Sequence, residues 1–196
     1  MLATLTGLGL SAAAGLNAYI PLLAVGLLAR YTELLTLPAG YAWLENPWVL
    51  GVVAVLLVAE LVLDKIAVVD HINDAIQTVV RPAVGGVIFA ATTAAERIDG
   101  SAWMRDHPWV PILLGVLVAL IVHGTKATAR PIVNASTVGV GTPVVSAVED
   151  VTSLGLSLVA ILAPALVVVA LALLVAAGVL LVRQGRRRRR RPAAPV

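Results

Sequence analysis

Two long stretches without a charged residue constrain this chain more than any other feature. Leu2 to Ala29 is uncharged for 28 residues, and Val151 to Val182 is uncharged for 32. A helix needs about 20 predominantly apolar residues to cross the hydrocarbon core of a bilayer. Only 13% of all residues are charged, whereas charged residues make up about a quarter of a soluble domain. The sequence therefore predicts an integral membrane protein.

The apolar stretches predict an all-α, polytopic fold with about six hydrophobic helical segments. The first stretch is predicted as one crossing that is kinked or broken near Asn17. The glycines around Ser11 are expected to permit close helix packing. The segment 138–148, VGVGTPVVSAV, is short and broken by glycine and proline, so a re-entrant or discontinuous helix is predicted there. Other helical segments are predicted from Pro47 to Ile66, Val87 to Ala95, Pro108 to Thr125 and, kinked at Pro164, Val151 to Val182.

Most of the polar chemistry lies between Glu60 and Arg81. On one helix at about 100° per residue, most of these polar side chains fall within an arc of about 120°, with Lys65 on the far side. Such a stripe could coordinate a hard cation or relay protons. It could equally face water at the membrane surface, and this alternative stays open. The candidate residues are Glu60, Asp64, Asp70, His71, Asp74 and Arg81.

A repeat becomes visible when the sequence is shifted by 61 positions. Asn46-Pro47-Trp48-Val49 then falls on His107-Pro108-Trp109-Val110, and three further pairs match, namely Lys65 with Lys126, Asn73 with Asn134 and Pro82 with Pro143. The shift predicts one transmembrane domain, residues 1–182, made of two related halves, about 1–96 and 97–182. In transporters, a polar interrupted segment in each half indicates a binding site near the midplane.

The second half contributes Lys126, Arg130 and Asn134 to the predicted site. Lys126 and Arg130 are one helical turn apart and could receive an anionic substrate or lipid headgroup. We favour neutralisation of the acidic stripe, because buried charges in membranes usually pair with one another. Asp70 or Asp74 is therefore expected to face Arg130 or Lys126. Glu149-Asp150 is interpreted as a cap that precedes the last helix.

The C-terminus carries a dense basic cluster. Arg183 and the run Arg186–Arg191 hold seven of the fourteen basic residues. Beside a long apolar run, such a cluster is typical of a cytoplasmic stop signal that attracts anionic lipid headgroups, and nucleic-acid binding is not expected. Residues 183–196 are predicted to be a disordered cytoplasmic tail. Six crossings then place both termini in the cytoplasm, in the bacterial inner membrane.

Several kinds of chemistry are excluded or left without support. The chain has no cysteine, which removes disulfides and thiolate chemistry. HExxH and GxxxxGK[ST] motifs are absent from the sequence, and no Ser/His/Asp order is compelling. We therefore predict no enzymatic activity and no cofactor, while a metal is left undetermined. A homo-oligomer is compatible with the sequence.

Three motifs carry a resemblance to a known family. They are GLSAAAGLNAYIPLL, the polar run from Glu60 to Arg81-Pro82, and KATARPIVNAS with the trailing Ser146 and Glu149-Asp150. The chain resembles an uncharacterised bacterial membrane-protein family that is catalogued only as a domain of unknown function. Ala67 stands where the resemblance implies proline. The resemblance implies no activity, substrate or site residue.

The functional hypothesis is a small transporter or channel for an ion or a small polar solute. Asp70 and Asp74 are the expected cation or proton ligands, with Asn73, Asn134 and Arg130 along the same path. The alternative is a structural or assembly protein of the membrane whose charges are fixed ion pairs. A water-filled cavity that reaches Asp74 would favour transport, and a dry, fully paired network would favour the structural role.

Overall fold

The computed structural model consists of helices joined by short turns, with no β-strand in the described part of the chain. Its backbone description covers residues 1–95, 103, 106–137 and 141–189; side chains within 67–72, 131–137, 181–182 and 184–189 lie outside it. The all-α prediction is confirmed. Two 3₁₀ helices, Ala39–Glu45 and Pro164–Leu166, accompany the α-helices. These are α1 Leu2–Leu16, α2 Tyr19–Tyr31, α3 Pro47–Leu63, α4 Ala67–Ala94, α5 Trp109–Thr137, α6 Thr142–Leu162 and α7 Val167–Arg189.

Several of these helices are able to cross a membrane. Within the described residues, three segments are long and apolar enough, namely Asn73–Ala94, Trp109–Arg130 and Thr142–Leu162. A fourth arises if Ala39–Glu45 and Pro47–Leu63, bent by 57°, count as one broken span. The α1, α2 and Pro164–Leu180 helices are apolar but shorter. The structure thus indicates a multi-pass membrane protein, while the predicted count of six crossings is not confirmed.

Helix α1 lies at the centre and packs against α4, α5, α6 and α7. Its small residues permit this, because a Cβ at Gly9 would lie 2.6 Å from Ala160 Cβ, and one at Gly15 would lie 2.7 Å from the Ala119 carbonyl oxygen. Small residues let helix backbones approach closely where no hydrophobic effect drives association in lipid. The predicted packing role of these glycines is confirmed.

The first uncharged stretch is broken at Asn17, as predicted, but the prediction of one crossing is wrong. At the end of α1, the Leu16 carbonyl accepts a hydrogen bond from Lys126 Nζ at 3.1 Å. In α2, Gly26 packs against Leu44 and Leu50, beside the start of α3. Helix α2 therefore turns back along α1, because the extended backbone of Asn17 (φ −144°, ψ 119°) ends the first helix.

The direction of the helices gives the bundle two distinct ends. The tryptophan end is the end at which α3 and α5 begin, with Trp48 and Trp109 exposed. Gly9 of α1 packs against Val167, the first residue of α7, whereas Arg183 of α7 lies beside Thr128 of α5. Helix α1 thus starts toward the tryptophan end, and α7 runs away from it.

The stripe from Glu60 to Arg81 is not on one helix. Helix α3 ends at Leu63, and Ile66, with φ −102° and ψ 102°, separates it from α4. The helix that follows is longer than predicted and continues through Pro82 to Ala94. Helix-breaking residues are tolerated inside membrane helices because neighbouring groups satisfy the freed backbone atoms. The polar residues therefore approach each other from two antiparallel helices.

The predicted re-entrant segment around Thr142 is wrong. Helix α5 extends to Thr137, and α6 begins at Thr142 and continues for 21 residues. Pro143 lies in the first turn of α6, where its missing N–H costs no helical hydrogen bond. The predicted kink at Pro164 is instead a full break after Leu162, and α7 stays helical to Arg189, past the start of the predicted tail.

The 61-residue repeat is not confirmed by the local structure. Lys65 lies exposed in the turn after α3, whereas Lys126 is buried in the middle of α5. Pro82 is inside α4, but its partner Pro143 opens α6. The matched positions therefore differ in both secondary structure and burial.

Candidate functional site

Asp64 is the centre of a buried ionic network. Its Oδ2 lies 3.1 Å from Arg130 Nη2, 3.4 Å from Lys126 Nζ and 3.8 Å from Arg81 Nη2. Its Oδ1 accepts a hydrogen bond from Asn73 Nδ2 at 2.6 Å. The side chain is only 2% exposed. One carboxylate thus joins α3 to cations from α4 and α5.

The electrostatic surroundings of Asp64 favour its ionised form. Asp64 lies in the turn that follows α3. Burial would raise the pKa of its carboxyl group, but Lys126, Arg130 and Arg81, with the Asn73 hydrogen bond, together hold that pKa below its ordinary value. The group therefore stays charged at neutral pH.

Arg81 connects Asp64 to a chain of hydrogen bonds on its other side. Its Nη2 donates to Glu60 Oε1 at 2.7 Å, and its Nη1 lies 3.0 Å from His123 Nδ1. A guanidinium can only donate, so Nδ1 accepts and Nε2 carries the imidazole proton. That Nε2 lies 3.0 Å from Thr78 Oγ1, whose hydroxyl donates to the Asp74 carbonyl at 2.7 Å. The hydrogen-bond directions define one neutral tautomer of His123.

Glu149 and Asp74 complete the network around Arg130. Arg130 Nη2 contacts Glu149 Oε2 at 2.5 Å, and Lys126 Nζ contacts the same oxygen at 3.1 Å. Asp74 lies between two arginines, with Oδ2 at 3.8 Å from Arg130 Nη1 and Oδ1 at 4.0 Å from Arg81 Nη1. The contact between Asp74 and Arg130 that the sequence predicted is present.

The tip of the α1–α2 hairpin touches this network. Asn17 Oδ1 accepts from the backbone N–H groups of Tyr19 and Ile20, at 3.1 and 3.3 Å, and caps α2. Its Nδ2 donates to Asp150 Oδ1 at 2.9 Å, and Asp150 Oδ2 lies 4.0 Å from Lys65 Nζ. Because Leu16 binds Lys126, both sides of the break contact ionised residues. The hairpin therefore ends on the network.

The network is not fully paired. Among the described residues, four carboxylates (Glu60, Asp64, Asp74, Glu149) surround three cations (Arg81, Lys126, Arg130). Buried atoms without a hydrogen-bond partner among the described residues include Glu60 Oε2, Asp74 Oδ1 and Asp150 Oδ2. An unsatisfied buried polar group costs about 1–3 kcal/mol, and more when it is charged. The site thus keeps free acceptor atoms and one more negative than positive charge.

Two apolar grooves reach the network from the side of the bundle. One, about 710 Å³, lies between α5, α6 and α7 and is lined by Lys126 and Glu149. The other, about 520 Å³, lies between α2, α3 and α6 and is lined by Asp150. Neither is lined by Asp74. No group of three or more His, Asp or Glu able to hold a metal ion occurs within the described residues.

Six of the nine predicted site residues come together in this network: Glu60, Asp64, Asp74, Arg81, Lys126 and Arg130. The side chains of Asp70, His71 and Asn134 lie outside the described residues. The interpretation of Glu149-Asp150 as a cap is wrong, because both lie inside α6 and bind partners on other helices. His123 was missed, although it precedes Lys126 and Arg130 by three and seven residues, the spacing of one helical face.

An all-helical bundle with several membrane-capable helices and a buried ionic network indicates a multi-pass membrane protein with a polar interior site. The chain belongs to the family DUF4126, a domain of unknown function, whose profile matches residues 4–184. The resemblance drawn from the sequence is thereby confirmed. Searches of the curated proteins and of the solved structures found no match to the chain.

Proposed function

We propose that this protein is a small transporter or channel that moves a cation or protons across the membrane through the ionic network. The observation that carries this proposal is the broken helix pair α1–α2, whose tip ends on buried charges. Discontinuous helices inside a membrane protein are tolerated where they line a cavity or site, and in transporters their ends coordinate substrates and ions.

The charge balance supports a cation or a proton as the transported species. The described network has one more carboxylate than cations, and a buried negative charge without a partner is costly. A bound cation or a proton would remove this cost. Asp74 is the best placed acceptor, since it is the most exposed of the four carboxylates, at 16%, and its Oδ1 has no hydrogen-bond partner among the described residues.

Arg130 and Arg81 supply a means of coupling in this proposal. Both contact Asp74 at about the limit of an ion pair, and both contact Asp64 as well. Neutralising Asp74 would leave each arginine free to move toward Asp64, Glu60 or Glu149. Binding at one carboxylate would thus change the pairing of the others, and that change can drive a conformational step.

Reconstitution into liposomes tests the proposal. Purified wild-type protein is expected to carry Na⁺, K⁺ or protons down an imposed gradient. Asp74→Asn, which keeps the shape of the side chain, should lower that flux by about tenfold or more, the effect of losing about 1.4 kcal/mol of binding. The matched control is Asp106→Asn, because Asp106 is an exposed aspartate outside the network. Absence of cation and proton flux through folded wild-type protein would refute the proposal.

A structural role is the second candidate, and the dense pairing around Asp64 favours it. Arg130, Lys126 and Arg81 are each at most 5% exposed and contact two or more carboxylates. Fixed pairs of this kind would set the arrangement of the helices without moving. The same assay separates the two candidates, because a purely structural network predicts no flux in wild type and a loss of stability in the variants.

For the orientation, we propose that the arginine cluster lies in the cytoplasm of a bacterial inner membrane, as positive residues beside membrane helices usually do. Arg183 and the ionic network then lie toward the cytoplasmic side, and the tryptophan end faces outside. Because α1 starts toward the tryptophan end, the N-terminus is placed outside. This replaces the expectation that both termini are cytoplasmic.

A further inference from the structure

A third groove lies on the outer surface of the bundle between α5 and α7, and its character changes along its length. Its volume is about 460 Å³, within the range of about 300–1,000 Å³ that is typical of ligand pockets. Its walls are apolar, with Ile121 and Val122 from α5 and Val175 and Val179 from α7. Its polar end is formed by Thr128 and Arg183.

Arg183 is the only cation that lines this groove, and it is available. Its side chain is exposed and makes no hydrogen bond or ion pair with the described part of the chain. Thr128 directs its hydroxyl hydrogen to the carbonyls of its own helix, Gly124 and Thr125, at 3.0 and 2.9 Å. The guanidinium is therefore the donor left to a ligand, and its fork geometry suits a phosphate group.

The larger neighbouring groove offers no such anchor. Its cation, Lys126, is already bound by Glu149 Oε2 at 3.1 Å and by the Leu16 carbonyl at 3.1 Å. The two grooves share Thr125 and Gly178, where α5 and α7 touch, since a Cβ on Gly178 would lie 3.1 Å from Thr125 Cγ2. Of the two grooves, the one that ends at Arg183 is therefore the one suited to an anionic ligand.

We propose that this groove binds one anionic phospholipid, with an acyl chain between α5 and α7 and the phosphate on Arg183. The apolar walls match an acyl chain, and the cation matches the headgroup. Basic pockets between membrane helices on the cytoplasmic side recognise such headgroups. The helical backbone of α7 continues to Arg189, so Arg186 and Arg187 follow Arg183 by one turn and add positive charge beside the groove. The proposal does not depend on transport activity.

Native mass spectrometry of the full chain in detergent tests the proposal, with phosphatidylglycerol as the probe and phosphatidylcholine as the neutral comparison. We expect one saturable phosphatidylglycerol per protein and at least fivefold weaker binding of phosphatidylcholine. Arg183→Gln should weaken phosphatidylglycerol about fivefold, the effect of one arginine near an anionic surface. Arg30→Gln, an exposed arginine on α2, is the charge control and should bind like wild type.

A second pair of variants separates the groove from the arginine run. Val175→Trp fills the groove and leaves every arginine in place, so it should abolish the saturable site. Val52→Trp on α3 is the matched control, because Val52 and Val175 are both 59% exposed. Equal binding to Val175→Trp and wild type would assign the lipid to the arginine run and overturn the proposal. Competition by free glycerol 3-phosphate at the same concentration as the lipid would overturn it too, because it would show that no acyl chain is needed.

Discussion

The two halves of the helical bundle are held together by different interactions. Toward the tryptophan end, α1, α4 and α5 pack through glycines, and Gly7 lies against Phe89 while Gly85 faces Gly115. Toward the other end, the same three helices meet through Asn17, Arg81 and Lys126, together with carboxylates of α3 and α6. Apolar contact and close approach therefore hold one half, and ion pairs occupy the other.

The difference indicates why the ionic half is the better candidate for function. Glycine-mediated packing lets helices associate in lipid without any charged group. Buried ion pairs add little net stability, because the cost of desolvation offsets most of their attraction. Cohesion of the bundle therefore does not require the network, and its charges are better explained by binding or transport.

The largest effect is expected in the glycine-packed half. A Cβ on Gly115 would collide with the Gly85 backbone, so Gly115→Ala should cost about 3 kcal/mol or more. The control is Gly51→Ala in α3, where a Cβ meets no atom within 4 Å. Gly51→Ala should be neutral or stabilise by up to about 1 kcal/mol, because alanine favours the helix. Unfolding in SDS, followed by circular dichroism, measures both changes, and equal changes would contradict the close crossing.

The next effect concerns the closest ion pair, Arg130 and Glu149. Arg130→Gln and Glu149→Gln should each destabilise by about 3 kcal/mol, because each leaves a buried charge without its partner. The double variant should recover about 1 kcal/mol or more of the summed loss. The same SDS titration measures the cycle. Strictly additive losses would show that the two side chains do not interact in the membrane.

A smaller effect is expected at the hairpin tip. Asn17→Ala removes the cap of α2 and the hydrogen bond to Asp150, which should cost about 2 kcal/mol. Asn46→Ala is the matched control, because Asn46 caps α3 through Trp48 N–H at 2.9 Å but is exposed. Its loss should cost about 1 kcal/mol or less. Equal losses at the two asparagines would argue against a buried hairpin tip.

The last prediction sharpens the orientation of the two ends and should leave stability unchanged. The chain has no native cysteine, so single cysteines report without background. Leu2→Cys and Glu33→Cys should be labelled by an impermeant maleimide from the outside of intact cells, since α1 and α2 form a hairpin that begins and ends at the tryptophan end. Val196→Cys should be labelled only after lysis. Labelling of Glu33→Cys without Leu2→Cys would restore the single crossing.

Local features of the fold were accessible from the sequence, but the direction of the chain was not. Charge-free runs predicted apolar helices, and the extended residue Asn17 lies where glycine and proline indicated a break. The pattern could not show that α2 turns back, because a broken crossing and a hairpin have the same composition. Pro82 and Pro143 were both interpreted as interruptions, although one is tolerated inside α4 and the other opens α6.

The site was predicted in part for a similar reason. Ionisable residues in an apolar chain must find partners, and this rule alone connected Asp74 with Arg130. Glu149 was misassigned because its role depends on where α6 begins. His123 was overlooked because a lone histidine carries little information until Arg81 and Thr78 are brought to either side of it.

The hairpin also has a consequence for the order in which the protein assembles during synthesis. Helices α1 and α2, of 15 and 13 residues, are about 20 Å long and too short to span a hydrocarbon core of about 30 Å alone. Most of the surface that covers α1 belongs to α4, α5 and α6, which the ribosome makes later. The segment that leaves the ribosome first is therefore expected to dock last, and the network closes only when Asn17 reaches Asp150.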